Sequence, residues 1–258
     1  YPCKSLRGIS LDSVLLEARG LQDDRRWMVV DSNGEFITQR QQPRMALVDV
    51  QLTDEGLLIS LAESEPVCAS RGGGNVFQVK VWNDWVEAES CGREVDEWLS
   101  DFLTQPCRVV YMADHVQRPV DPVYAEAGKQ VSFADGFPLL LISEASLEAL
   151  NEKLEQPVSM AHFRPNVVVT GCEAFAEDQW RQLKIDEVEL CVVKPCSRCV
   201  ITSIDPNSAE KHPQQQPLRT LLTFRKQGKE VCFGQNIIPS KMGVLSLSQK
   251  VTVVEKAQ

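Results

Sequence analysis

The chain has 258 residues and a net charge of −9, with 43% hydrophobic and 24% charged residues, the composition of an ordinary globular protein with room for one large or two modest domains. The acidic balance excludes general nucleic-acid binding, which needs a basic footprint, and no apolar run approaches the roughly 20 residues of a membrane-spanning helix. An anionic ligand would have to be held by a local cluster of Arg and Lys.

Residues 1–11 read as an opening strand with a turn at Gly8. A charged turn from Gly20 leads into the apolar strand Trp27–Val30. Ser32-Asn33-Gly34 is a hairpin signal, with Phe36-Ile37-Thr38 as the returning strand. Short strands follow at Ala46–Leu52, Gly56–Leu61, Phe77–Val81 and Val86–Ala88, a spacing typical of a barrel or sandwich. Gly72-Gly73-Gly74 has no Gly-Lys-Ser/Thr behind it and reads as a loop, not a phosphate cradle.

Arg93–Leu103 is the clearest helix, since Val95, Trp98, Leu99, Phe102 and Leu103 repeat on one face. Cys107–Met112 is again a strand. Asp114–Gly128, with two prolines, reads as a connector between domains. Ser143–Leu154 is a second helix, capped by Ser143, with Leu147, Leu150 and Leu154 inward. Phe163–Gly171 is a polar corner feeding an apolar strand, and Val188–Val193 is a strand. Pro217–Lys226 is a short helix, with Leu218, Leu221 and Leu222 inward, and Gly243–Val254 closes the chain with strands. Strand content dominates.

Nine cysteines are scattered without a framework. The odd number leaves at least one unpaired, and with no signal peptide visible a reducing compartment is expected. The first residue is Tyr1, not Met, so a targeting segment upstream stays open.

The stretch Val193–Asp205 carries Cys196-Ser197-Arg198-Cys199 followed by the β-branched run Val200-Ile201-Thr202-Ser203-Ile204, which reads as a strand. Sulfur beside positive charge suits a soft metal or an anionic cofactor. Three plainer readings compete. A zinc site could recruit His212, yet four ligands are needed and no second C-x-x-C exists. A thioredoxin-type pair would want a helix after the first Cys. Simple burial is the commonest fate of a free thiol.

Six segments in order carry a resemblance: Lys4-Ser5, Asp24-Arg25-Arg26-Trp27-Met28, Ala134-Asp135-Gly136-Phe137-Pro138, Phe163-Arg164-Pro165-Asn166, Cys196-Ser197-Arg198-Cys199 and Phe233-Gly234-Gln235-Asn236. Together they resemble the molybdenum-cofactor sulfurase C-terminal (MOSC) superfamily, in particular bacterial reductases of N-hydroxylated compounds and the mitochondrial amidoxime-reducing component. The resemblance implies a mainly β protein with a few helices. A smaller N-terminal barrel-like module would occupy residues 1–118, with residues 1–25 packed on the other domain, and a β-barrel MOSC domain would occupy residues 119–258.

It implies Cys199 as the metal-bound thiolate, with Cys196 as second choice. It implies contacts to the molybdenum cofactor (Mo-molybdopterin) from Lys4, Ser5, Arg25, Asp135, Gly136, Phe137, Arg164, Asn166, Ser197, Arg198 and Asn236. The chemistry of these residues agrees: Arg forks suit phosphate, Asn and Asp can match a pterin edge, and a thiolate suits a soft, high-valent metal. The implied activity is reduction of a small N-hydroxylated substrate, such as a hydroxylamine, amidoxime or N-hydroxylated base analogue. The alternative is a carrier of the cofactor or of persulfide sulfur. No iron–sulfur spacing or flavin fingerprint is present in the sequence, so a separate flavin or iron–sulfur donor protein is expected. A cytoplasmic, bacterial setting is expected, or an organellar one if a targeting segment precedes the chain.

Overall fold

The computed structural model describes residues 1–62 and 64–257. Strands dominate it, and three α-helices, Arg93–Leu103, Glu144–Asn151 and Leu218–Phe224, accompany them among the described residues.

The N-terminal half is built on two antiparallel sheets. One has the order Trp27–Val30, Arg108–Tyr111, Asp84–Ser90, Val76–Val81; the other runs Asp49–Leu52, Gly56–Ser60, Val67–Ser70. Trp27–Val30 is buried along its whole length because its alternating side chains enter two different cores. Trp27 and Val29 join Met45, Leu57, Ile59 and the buried face of Arg93–Leu103, while Met28 and Val30 join Val79, Val81, Val110 and Phe133.

The C-terminal half is built on a seven-stranded sheet. Its path is Val167–Val169, Leu139–Ser143, Glu230–Lys241, Val188–Ser197, Trp180–Ile185, Val251–Lys256, with Lys226–Gln227 on the edge of Glu230–Lys241. A small third element crosses between the ends of the chain. Ser13–Glu17 pairs antiparallel with Gly243–Ser246, Leu15 facing Val244, and also with Gly20–Leu21. The first segment is thus stitched to the last part of the chain before the N-terminal sheets begin.

Several local expectations give way. Residues 1–11 contain only an isolated parallel bridge, Cys3 to Trp27, and the first strand starts at Ser13. The turn at Gly34 returns Phe36–Ile37 along the free edge of Trp27–Val30, through the Val30–Phe36 bridge and the Ile37 N–H donating to the Val29 carbonyl at 2.8 Å. The pairing is too short to form a strand, while Arg108–Tyr111 pairs the other edge. Residues 43–47 form a 3₁₀ turn, so the strand expected from Ala46 begins at Asp49. The run after Cys199 is a 3₁₀ turn, Val200–Ser203, and not a strand. The Thr202 N–H (3.1 Å) and its hydroxyl (2.9 Å) both donate to the Cys199 carbonyl, a local bonding option that competes with a sheet ladder. Leu222 is 48% exposed, so only Leu221 of the third helix is fully buried.

Candidate functional site

One cleft of about 160 Å³ is lined by Lys4, Ser5, Arg25, Asp135, Gly136, Phe137, Arg164, Asn166, Cys196, Ser197, Arg198, Cys199 and Asn236. Every site residue expected from the sequence therefore faces the same space, although the segments span the chain from residue 4 to residue 236. Thr38, Arg40 and Thr202 line it as well.

The N-terminal segment is fixed by the Lys4 N–H donating to the Trp27 carbonyl at 2.9 Å. Gln39 Nε2 donates to the Ser5 carbonyl at 2.7 Å. Lys4 Nζ forms an ion pair with Asp135 from the far half of the chain. Burial lowers the Lys4 ammonium pKa, against the pull of Asp135. Asp135 keeps much of its side chain exposed, yet crowding of its carboxyl by the cleft pushes the pKa up, and Lys4, Trp82 and Arg40 pull it further down, well below the usual carboxylate range. The loop bearing it is pinned from behind by buried Arg118, which donates to the carbonyls of Ser132 and Asp135 at 2.8 and 3.2 Å.

Arg25 lies just before Trp27–Val30. Its Nη1 donates to both Asp24 carboxylate oxygens at 2.6 Å, and its Nη2 to the Arg164 carbonyl at 3.1 Å. Ser5, Arg25 and Arg164 all adopt left-handed backbone, with φ of 70°, 50° and 57°. Non-glycine residues rarely do so, and such strain persists where the surroundings over-determine it, often at functional sites.

Asn166 is tied to the Leu139–Ser143 strand in both directions. Its Oδ1 accepts from the Leu140 N–H at 3.1 Å, and its own N–H donates to the Leu140 carbonyl at 2.9 Å. Asn236 Nδ2 donates to the Pro195 carbonyl at 3.3 Å. The Val188–Ser197 strand delivers Ser197 at its end, after register shifts against Glu230–Lys241 at Val192/Lys194 and Pro195/Ser197. Gly234 (φ 80°) permits a close strand approach, since a Cβ there would lie 2.5 Å from Ile142 Cγ1 and 2.8 Å from the Leu141 carbonyl.

Arg198 is held from both sides: Nη2 donates to the Phe163 carbonyl at 2.7 Å and Nη1 to Cys196 Sγ at 3.0 Å. Cys199 is exposed, whereas Cys196 is half-buried. Arg40 Nη1 approaches Cys199 Sγ at 3.5 Å. Among the described residues no group of three or more His, Cys, Asp and Glu side chains gathers as a metal site, so His212 does not join the two cysteines in such a group.

Five cations, Lys4, Arg25, Arg40, Arg164 and Arg198, line the cleft against one carboxylate, Asp135, on a protein whose net charge is −9. Burial lowers the Arg164 guanidinium pKa to about 10, with Arg25 adding repulsion against the partial relief from Asp24. Five buried side-chain polar atoms lack a hydrogen-bond partner among the described residues, and three are on residues that line this cleft: Arg164 Nη2, Asn166 Nδ2 and Arg198 Nε, of which Arg164 and Asn166 also line the neighbouring cleft beside Tyr1. Buried donors are normally satisfied, so their clustering marks where a ligand with acceptors fits. Gly136 adds a bare backbone at the same wall. It has no positive φ, and a Cβ would meet nothing within 4 Å, so protein packing alone gives no reason for glycine. Donor nitrogens, cations, a bare glycine and a free thiol match a phosphorylated pterin dithiolene with a metal.

Sequence reasoning missed Arg40, Thr38, Thr202 and Arg118. Thr202 sits in the run misread as a strand. Arg40 lies in the polar stretch Gln39-Arg40-Gln41-Gln42, which carries no motif, and Arg118 in the presumed connector.

Residues 1–106 match the family model for the MOSC N-terminal beta barrel domain, and residues 128–252 match that for the MOSC domain. The chain is similar to mitochondrial amidoxime-reducing component 1 of Mus musculus, 33% identical over 97% of this chain and 79% of that protein. The same component of Danio rerio is 35% identical over 97% and 82%. Mitochondrial amidoxime reducing component 2 of Rattus norvegicus is 36% identical over 87% and 70%.

Proposed function

The chain belongs to the MOSC-domain family of the amidoxime-reducing components, and from that premise we propose that it is a molybdenum-cofactor-dependent reductase of N-hydroxylated compounds. The net reaction is R–NHOH + 2 e⁻ + 2 H⁺ → R–NH2 + H2O. The electrons come from a separate flavin or iron–sulfur protein. The observation that carries this reading is the meeting of far-apart segments in one cationic cleft with three unpartnered donors beside an exposed thiol.

In this reading Arg25, Arg164 and Arg198 hold the phosphate, because guanidinium forks bind it bidentately. Asn166 Nδ2 and the Asp135 carboxylate present a donor and an acceptor to the pterin edge. Cys199, exposed and with Arg40 Nη1 3.5 Å from its sulfur, would be the protein ligand to the metal. When bound, the group supplies the two-electron chemistry at the N–O bond, and the protein binds, orients and tunes. Lys4 and Asp135 close the cleft from opposite halves of the chain. The relatives carry mitochondrial names, which favours an organellar over a cytoplasmic setting. Among the described residues no helix is long and apolar enough to cross a membrane.

The test is elemental analysis of freshly expressed protein together with a dye-driven reduction assay. Stoichiometric molybdenum with turnover of an amidoxime, both lost in Cys199→Ser, is the expected result. Full molybdenum-dependent activity in Cys199→Ser overturns the ligand assignment. Labile sulfane sulfur on Cys199 without turnover replaces the reductase with a sulfur carrier.

A further inference from the structure

Arg40 is held by both halves of the chain. Its N–H donates to Thr38 Oγ1 at 3.2 Å, and Lys211 Nζ donates to its carbonyl at 3.4 Å. Its guanidinium lies 4.8 Å over the Trp82 ring, and its Nη1 comes to 3.5 Å from Cys199 Sγ. Trp82 itself does not line the cleft. It sits in the turn between Val76–Val81 and Asp84–Ser90 with a φ of +57°, which a bulky side chain adopts only where its surroundings hold it. Phe36 holds it with 5.2 Å between ring centroids, and Asp135 Oδ1 accepts its indole N–H at 3.1 Å. Arg40 thus links a braced indole outside the cleft to the thiol inside it.

A long Arg side chain loses much rotamer freedom when it is fixed, and a cation–π contact offsets part of that loss. Among the described residues no ion pair uses Arg40, so no carboxylate in contact cancels its charge. An N–H donor beside a metal-bound thiolate draws electron density from the sulfur. Hydrogen bonds to ligating sulfurs are among the features that set the potentials of sulfur-ligated metal centres. A cationic donor at that place favours the electron-richer, reduced state and raises the potential.

We propose that Arg40 is a positioning residue that acts through Cys199. Its N–H···S contact raises the reduction potential of the metal held by that sulfur, and the Trp82 ring keeps the guanidinium in the contact. The inference rests on the reading of Cys199 as the metal ligand, and adds to it the residue that sets the potential. A plainer role for Arg40, as a cross-link between the halves through Trp82 and Lys211, predicts lost stability and an unchanged potential.

The experiment is a redox titration of the molybdenum-loaded chain, followed by electron paramagnetic resonance, on wild type, Arg40→Met, Trp82→Leu and Trp82→Phe. Arg40→Met keeps an apolar stem and loses the donors. A hydrogen bond to a charged acceptor is worth about tenfold in an equilibrium, so the midpoint potential should fall by about 59 mV for a one-electron step. Trp82→Leu removes the ring and should shift the potential the same way by less. Trp82→Phe keeps a ring face while losing the N–H to Asp135, and should stay at the wild-type value. An unchanged potential in Arg40→Met overturns the proposal and leaves the cross-link. A shift in Trp82→Phe as large as that in Trp82→Leu assigns the effect to Asp135 and overturns the part played by the ring. Should Arg40→Met lose its metal, Trp82→Leu decides: a lowered potential supports the tuning, and an unchanged one overturns it. Cys199→Ser that holds molybdenum at the wild-type potential sinks the ligand assignment itself. That failure is distinct from an unshifted Arg40→Met in a protein whose Cys199→Ser variant has lost the metal.

Discussion

Arg25 Nη2 donates to the backbone carbonyl of Arg164 at 3.1 Å, so a residue preceding the N-terminal sheets clamps the corner that presents a second cation to the cleft. The same guanidinium pairs with Asp24, and the side chains of Asp24 and Arg25 are only 4% and 12% exposed. Burial pushes the Asp24 carboxyl up and Arg25 pulls it further down, below its ordinary value. Removing one partner of a buried pair leaves an uncompensated charge. Arg25→Met is expected to destabilise the ligand-free protein by about 3 kcal/mol, and adding Asp24→Asn to recover much of that loss. Urea unfolding of the two variants checks it; an Arg25→Met loss that Asp24→Asn leaves untouched would mean that the pair is not the cause.

Gly136 and Gly234 separate ligand space from packing. Gly136→Ala meets nothing within 4 Å, so its melting without cofactor should stay within about 0.5 kcal/mol of wild type, while molybdenum retention falls. Gly234→Ala collides with Ile142 and the Leu141 carbonyl at φ 80° and should lose about 2–3 kcal/mol. Thermal melting and metal analysis of both variants decide whether the bare backbone at Gly136 faces a ligand.

The two cysteines should behave differently. Cys196 is half-buried and accepts from Arg198, whereas Cys199 is exposed. Cys196→Ser keeps a polar acceptor for Arg198 and is expected to lower metal retention or turnover by no more than about tenfold, the low end for an outer-shell change. Cys199→Ser should lose both. Equal losses would shift the ligand assignment toward Cys196.

The Lys4–Asp135 pair predicts a pH signature. A carboxyl held below its ordinary value of 3.8 contributes stability above that pH and loses it as pH falls toward the folded-state value. Asp135 keeps 67% of its side chain exposed, which limits the contribution to about 1 kcal/mol. Wild type should therefore exceed Asp135→Asn in stability at pH 7 by that amount, with the gap constant down to about pH 5 and closing below it. Denaturant midpoints across that range test it, and a gap that widens in acid would contradict the pairing.

Most residues that line the candidate cleft could be named in advance, because they sit in short motifs whose order resembles that of a known family. The helix Arg93–Leu103 was legible through its apolar repeat. What stayed hidden depended on partners far away. Glu230–Lys241 is a twelve-residue strand that runs on through Gly234 and Pro239, and neither its composition nor its alternation announces it. Phe36–Thr38 has strand-like residues and returns beside Trp27–Val30, but the pairing stops after one bridge because the chain turns at Thr38, whose carbonyl accepts from Gln41 and Gln42. The run after Cys199 has β-branched residues but bonds back to Cys199. Arg40 and Trp82 carried no motif at all, since their meaning comes only from the contact between halves.

The pairing of Ser13–Glu17 with Gly243–Ser246 has a consequence for biosynthesis. A ribosome releases the first of these strands more than two hundred residues before its companion exists, so this segment waits, unpartnered there, while those residues are made. Contacts this distant in sequence form late and slowly. Lys4, Ser5 and Arg25, which flank that waiting segment, line the cleft, so a half-made chain has an incomplete cleft. A chain that ends before Gly243 therefore lacks the partner strand of Ser13–Glu17, and its opening segment has nothing to pair with there.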